Sequence, residues 1–276
     1  MKYTLKGSEI GPMPAIGFGT YKLNGEDCIK AVEEALELGY RHIDTAIMYG
    51  NQQAIGRAIR TIPREQLFIT SKLFLPDLPA DQIMSSAENI LEELHTSYLD
   101  LLLIHWPRES SMEQDYKLLV EVQKKGLAKY LGVSNFSSRQ MQAALDAGFP
   151  ILTNQIEVHP YLQQQKLVNY CESKNVIVTA YRPLGSGKLH EDQVLAKIGS
   201  QYGKTAAQVA LRWLVQNNMV VIPKSAHTQR MRENIEIFDF TLSQQDLALI
   251  AALERHQRFC EPSFAKFEEE SAHEKQ

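Results

Sequence analysis

The chain has 276 residues, with 29 Lys and Arg against 33 Asp and Glu, a net charge of −4, and 44% hydrophobic residues. That composition supports a large apolar core, and a mildly acidic chain without a basic block is a poor partner for nucleic acid. No apolar run reaches the roughly 18 residues of a membrane helix, the opening MKYTLKGSEIGPMP lacks a signal peptide's apolar stretch, and Cys28, Cys171 and Cys260 are odd in number, scattered and without metal-ligand spacing, so they read as reduced thiols of a cytoplasmic protein.

Residues 1–14 hold a hairpin pattern: YTLK, then Gly7-Ser8, then EIG. Eight short apolar runs follow and predict strands: AIGFGT (15–20), YRHIDTA (40–46), LFITSK (67–72), LDLLLIHW (99–106), KYLGVSN (129–135), ILTNQIE (151–157), VIVTAY (176–181) and VVIPKS (220–225). Helical patterns lie between them. CIKAVEEALELG (28–39) stops at Gly39, a good C-cap. DQIMSSAENILEELHT (81–96) starts with Asp81 as an N-cap. MEQDYKLLVEVQKKG (112–126) and SRQMQAALDAG (138–148) each stop at a glycine, and two patterns (191–202 and 204–217) fill the longest gap between strands. Strand and helix alternating over about 250 residues predict an α/β fold, a (β/α)8 TIM barrel with the N-terminal hairpin across its bottom and one extra helix. No composition break marks a linker, so residues 1–276 read as a single domain, with the charged tail after Pro262 frayed over 265–276.

The active site of such a barrel lies at the C-terminal ends of its strands. The polar residues there are Asp44 and the nearby Tyr49, then Lys72, His105 before Trp106, Ser134 and Asn135, Gln155, Tyr181, and Lys224 with Ser225. Taken singly, a strand-end Asp is ordinarily a cap, a His beside Trp a core residue, and a Lys a snorkelling surface group. Asp, Tyr, Lys and His converging on one barrel mouth form a constellation.

These residues lie in motifs that resemble the aldo-keto reductases along nearly the whole chain: GFGTYK (17–22), GYRHIDTAIMYGNQ (39–52), ITSKL (69–73), LDLLLIHWP (99–107), GVSNF (132–136), NQIEVHPY (154–161), AYRPLGSG (180–187), and IPKS followed by Arg230 and Glu233-Asn234. The short loops resemble most the bacterial 2,5-diketo-D-gluconate and methylglyoxal reductases. The resemblance implies reduction of aldehydes or ketones by NADPH, with Asp44, Tyr49, Lys72 and His105 as catalytic tetrad. Hydride delivery to a carbonyl leaves negative charge on oxygen, which needs a proton. Tyr49 would be the general acid, with its pKa lowered by the Lys72 ammonium. Asp44 would keep Lys72 charged, and His105 would orient and polarise the carbonyl. By the same resemblance, Ser134, Asn135 and Gln155 would bind the nicotinamide carboxamide and Tyr181 would stack on its ring. Gly19, Thr20, Leu184 and Gly185 would line the cofactor, the glycine-rich turn lying over the pyrophosphate. Lys224, Ser225 and Arg230 would hold the 2′-phosphate of NADP+, with Glu233 and Asn234 near the adenine.

The family pattern is broken at four positions: Tyr21 replaces Trp, Gln52 replaces Glu, Arg182 replaces Ser and His227 replaces a small residue. GSGK (185–188) is not a P-loop, because Arg182 stands where a Walker motif needs Gly. No GxGxxG occurs, which argues against a Rossmann site. Tyr21, Met48, Trp106 and Phe259 are expected to line an open pocket for small polar carbonyls such as methylglyoxal or keto-sugar acids, in a monomer. The alternatives are an NADP(H)-binding redox sensor with little turnover and a barrel enzyme using Lys72 for Schiff-base chemistry.

Overall fold

Gly11, in the left-handed region at φ +59°, and Pro12 reverse the chain between two short strands. These are β1 (Glu9–Ile10) and β2 (Met13–Pro14), antiparallel with Ile10 opposite Met13. The computed structural model describes residues 9–108, 110, 112–265 and 267. The hairpin therefore turns at Gly11-Pro12, and the YTLK arm expected from the sequence lies outside the described residues. Ile10 and Met13 are buried. A Cβ on Gly11 would meet the side chain of Ile177 at 2.8 Å. Ile177 opens a barrel strand, so the hairpin lies against the N-terminal end of the sheet, the bottom of the barrel.

The eight predicted apolar runs all form strands: β3 (Phe18–Gly19), β4 (His42–Asp44), β5 (Phe68–Leu73), β6 (Leu99–Ile104), β7 (Ala128–Ser134), β8 (Thr153–Glu157), β9 (Ile177–Tyr181) and β10 (Val220–Val221). Each pairs in parallel with the next. The two edges meet as well. The Gly17 N–H donates to the Val221 carbonyl at 2.8 Å, and the Gly19 N–H donates to the Pro223 carbonyl at 3.0 Å. The approach is close enough that a Cβ on Gly19 would lie 2.8 Å from the Ile222 carbonyl oxygen. Closure buries most strand residues on both faces, Lys129 and Tyr130 at the start of β7 being exposed, and this is why the strands read as apolar runs rather than alternating ones.

Among the described residues, ten helices surround the sheet: α1 (Gly25–Glu37), α2 (Gln52–Ala58), α3 (Ile83–Glu93), α4 (Glu113–Lys124), α5 (Ser138–Asp146), α6 (Gln165–Ser173), α7 (Gln193–Tyr202), α8 (Ala206–Gln216), α9 (Thr228–Ile235) and α10 (Gln244–Ala251). The extra helix is real, since α7 and α8 both lie between β9 and β10. Asp81 does not cap α3: it sits in a 3-10 turn over Ala80–Gln82, and Gln82 occupies the N-cap without a side-chain bond. Capping boxes start α5 (Ser137 with Gln140) and α8 (Thr205 with Gln208). No helix among the described residues is long and apolar enough to cross a membrane.

Candidate active site

Period-two alternation along β4 and β5 sends His42, Asp44, Thr70 and Lys72 to one side, and all four are buried. The chain then makes a 3-10 turn, Ile47–Tyr49, ended by Gly50 at φ +63°. Asn51 fastens this turn: its amide donates to the carbonyls of Thr20 and Leu23, both at 2.9 Å, and accepts from the Thr45 hydroxyl at 2.8 Å. Gln52 accepts from the Ser71 hydroxyl at 2.6 Å and donates to Glu93 at 2.7 Å. The loop carrying Tyr49 is thus tied to the β3–α1 loop, to β5 and to α3.

Lys72 has no exposed surface. Its Nζ donates to Asp44 Oδ1 at 2.5 Å and to the Thr45 carbonyl at 2.8 Å. The second carboxylate oxygen of Asp44 accepts from Gln155 Nε2 at 2.8 Å. The ammonium lies 5.2 Å from the centre of the Tyr49 ring. The His105 ring stands edge-on to Tyr49 at 5.8 Å, and Tyr21 leans on its other flank at 5.1 Å. Burial lowers the Lys72 pKa against the opposing pull of Asp44. Burial also holds His105 well below the ordinary histidine value, and Lys72 adds to the effect, so the imidazole is neutral. Tyr49 departs from the sequence expectation. Burial first, then the Asp44 carboxylate, raises its phenol well above the ordinary value instead of lowering it. Lys72 offers no free amine to a carbonyl, because its Nζ is enclosed and bonded twice; the Schiff-base alternative fails on that ground.

Asp44, Tyr49 and His105 open onto a cavity of about 770 Å³. Tyr21, Met48 and Trp106 line it, and so do Gly19, Thr20, Ser134, Asn135, Gln155 and Tyr181. These polar groups bond one another. Tyr181 donates to Asn135 Oδ1 at 2.8 Å, Asn135 donates to the His105 carbonyl at 3.0 Å, and Ser134 donates to the Gln155 carbonyl at 2.8 Å. Leu184, Lys224, Ser225, Arg230 and Asn234 also face the cavity. None of its cations, Lys22, Arg182, Lys224 or Arg230, takes part in an ion pair among the described residues.

Three expected residues do not line the cavity. Glu233 accepts from Gln229 at 3.0 Å on the exposed flank of α9. Gly185 is buried, with Phe259 and Leu189 packed where its side chain would be. Phe259 turns away because its backbone is gripped from two sides. Its N–H donates to Glu157 Oε1 at 2.7 Å, and its carbonyl accepts from Arg182 Nη1. The Phe259 ring lies against His159 at 5.3 Å. Cys260, Pro262 and Phe264 line the cavity in its place. Phe264 stands edge-on to Trp106 at 5.3 Å and to Phe74 at 5.5 Å, and Phe267 meets Trp106 at 5.9 Å. Ala265 and Phe267, within the stretch expected to fray, are described, and Lys266 and residues 268–276 lie outside the described residues. Aperiodic sequence carries no signal for these contacts. Arg182 had a signal, its break with the family pattern.

The aldo/keto reductase family model matches residues 15–255. The glyoxal reductase of Bacillus subtilis (strain 168) is 39% identical, over 94% of this chain and 95% of that protein. The methylglyoxal reductase DkgB of Salmonella typhimurium is 38% identical, over 91% and 96%. Among solved structures, a protein described as a candidate 2,5-diketo-D-gluconic acid reductase B superposes with a TM-score of 0.89 at 40% identity, covering 94% of each chain. The aldose reductase of Schistosoma japonicum gives a TM-score of 0.87 at 33% identity, over 94% of this chain and 96% of that one. The chain belongs to the aldo/keto reductase family of oxidoreductases.

Proposed function

We propose that the protein reduces aldehydes and ketones to alcohols with NADPH, and that Tyr49 supplies the proton. One observation carries this reading: a buried phenol, backed by the Lys72–Asp44 ion pair and faced by a neutral imidazole, opens onto a cavity whose cations form no ion pair among the described residues. The cavity has the size of a cofactor and substrate site. Its only carboxylate among the described lining residues, Asp44, is already bonded to Lys72 and Gln155. The charge balance fits a dinucleotide carrying a 2′-phosphate, with Lys224, Ser225 and Arg230 to hold that phosphate. Ser134, Asn135 and Tyr181 would seat the nicotinamide. The cofactor, when bound, supplies the hydride.

The chain's own residues do the rest. A raised pKa keeps Tyr49 protonated throughout the neutral range, so the donor is loaded before the carbonyl arrives. Its phenolate, once the proton has left, lies beside the Lys72 ammonium. Neutral His105 offers an N–H to the carbonyl oxygen and strengthens that bond as charge develops. Small polar carbonyls such as methylglyoxal or keto-sugar acids suit the open pocket.

Arg230→Ala tests the cofactor reading. One charge-assisted hydrogen bond contributes roughly 1.5–3 kcal/mol, and about 1.4 kcal/mol is tenfold in affinity. NADPH affinity is expected to fall by one to two orders of magnitude, with NADH nearly unchanged, when both are titrated by fluorescence quenching. Equal losses for the two would assign Arg230 to the adenine or the fold. A carbonyl panel followed at the nicotinamide absorbance tests the reaction itself, and absence of turnover would favour the redox-sensor alternative.

A further inference from the structure

Arg182 follows the last residue of β9 and lines the cavity. Its backbone is left-handed at φ +47°, a region that disfavours side chains with a Cβ. Its Nη1 donates to the Ser186 hydroxyl at 3.1 Å and to the Phe259 carbonyl. These two acceptors use one nitrogen of a guanidinium that has five N–H donors. Nε and Nη2 have no protein partner among the described residues. That pair of nitrogens is an edge on which a carboxylate sits with two parallel bonds.

We propose, resting on the carbonyl-reductase reading above, that Arg182 binds a carboxylate carried by the substrate, so that the site selects oxo-acids over neutral carbonyls of equal size. The anchoring of Nη1 decides the placement. It ties the guanidinium to Phe259, the residue before Cys260, and so to the segment that walls the cavity through Cys260, Pro262 and Phe264. Phe264 in turn meets Trp106, and Phe74 links Phe264 to the His105 ring at 6.3 Å. Arg182 also lies within electrostatic reach of the Tyr49 phenol. The cation is therefore anchored to the wall that continues toward Trp106 and the His105 ring. Lys224 and Arg230 remain free for the cofactor's phosphate. A carboxylate fixed on a pre-anchored fork would orient the carbonyl carbon beside Tyr49, lowering KM for the acid more than for a neutral analogue.

The test compares 4-oxobutanoate with its methyl ester, using NADPH and the full chain, in wild type, Arg182→Met and Arg182→Lys. Wild type is expected to prefer the acid in kcat/KM. In Arg182→Met the acid-to-ester ratio should fall about 10- to 100-fold, mostly through KM of the acid. Arg182→Lys, which keeps charge without the fork, should fall in between. Salt should raise KM for the acid in wild type and leave that for the ester, a readout that stands even if Arg182→Met folds poorly. A wild-type ratio near one overturns the proposal. So does an equal loss for acid and ester in Arg182→Met, which would make the residue a latch for the C-terminal segment only. A matching loss of NADPH affinity would assign the guanidinium to the cofactor's phosphates instead. If wild type reduces the ester without preferring the acid, only this proposal fails; if it reduces no carbonyl, the reductase reading fails with it.

Discussion

Two carboxylates end strands of the same barrel, both buried, and they are neutralised in different ways. Asp44 on β4 is held by the Lys72 ammonium at 2.5 Å and the Gln155 amide at 2.8 Å. Glu157 on β8 has no Lys or Arg in ion-pair range among the described residues. It accepts the backbone N–H groups of Phe259 and Cys260 at 2.7 and 2.8 Å, and faces His159 Nε2 at 3.1 Å. A buried charge needs a partner, and the choice of partner sets its use. An ammonium couples Asp44 to every charge that forms nearby, which suits a centre where a proton moves. Two backbone N–H groups instead fix Glu157 against the C-terminal segment. On the proposed function Asp44 tunes the reacting centre, while Glu157 holds the segment that walls the cavity.

The comparison breaks most severely at Tyr49, the proposed proton donor beside Asp44. Tyr49→Phe keeps the ring against His105 and removes the proton. Reduction is expected to drop about 10²–10⁴-fold in kcat/KM, the usual worth of a general acid. NADPH should still bind, as read by fluorescence quenching. Near-normal turnover would leave Tyr49 as a packing residue.

Next comes the ion pair itself. Lys72→Met leaves Asp44 buried without a counter-ion, and removing one partner of a buried pair costs about 3–5 kcal/mol. Denaturant unfolding should show that loss, and adding Asp44→Asn should recover part of it. Neither variant should regain the rate of reduction, because charge balance is restored without the cation beside Tyr49. A single mutant as stable and active as the parent would mean that the pair is dispensable.

Much of the Asp44 half was legible in the sequence, and little of the Glu157 half. Strands buried on both faces announce themselves as apolar runs, and the polar residue ending each run is a candidate by position alone. Asp44, Lys72, His105 and Ser134 were found that way. Direction of titration was not legible, since no sequence pattern weighs the burial of Tyr49 against the nearness of Lys72. Helix α2 is seven residues long, and α6 buries only Val168 and Cys171, so each gives a short pattern. The C-terminal wall was the hardest part. Phe259 and Phe264 are both aromatic in one aperiodic stretch, and the bonds from Glu157 and Arg182 to the Phe259 backbone decide which ring faces the cavity.

Acid sharpens the comparison through His42, two residues before Asp44 on the same inward side. Its Nε2 pairs with the Thr70 hydroxyl at 3.0 Å, and a Cβ on Gly17 would come within 2.7 Å of its Nδ1. Burial, the largest effect, pushes its pKa down to about 4 from 6.5. Between these values the unfolded chain binds a proton that the folded chain refuses. Stability is therefore full above pH 6.5 and falls as pH drops toward 4, by about 3 kcal/mol from this residue. Urea unfolding at pH 7 and pH 4.5 would show it, with a flatter profile in His42→Gln. Parallel profiles for the two proteins would remove His42 as the cause.

The smallest effect is expected at Glu157. Glutamine in its place has one acceptor oxygen where two served, and its NH2 group confronts a backbone N–H. One amide, of Phe259 or Cys260, loses its partner, at a cost of about 1–3 kcal/mol. For a chain of this size that lowers Tm by roughly 2–4 °C per kcal/mol. The loss is local, because Glu157 touches the segment and not the Lys72–Asp44 pair. Hydrogen exchange should accelerate at the Phe259 and Cys260 amides and stay unchanged at the Gly19 amide, which closes the barrel seam. Kinetically, a loosened wall at Cys260, Pro262 and Phe264 should raise KM for the carbonyl severalfold, with a smaller change in kcat, since Tyr49 and its ion pair are intact. The opposite split, a collapse of kcat with KM unchanged, would place Glu157 in the chemistry and erase the distinction between the two carboxylates.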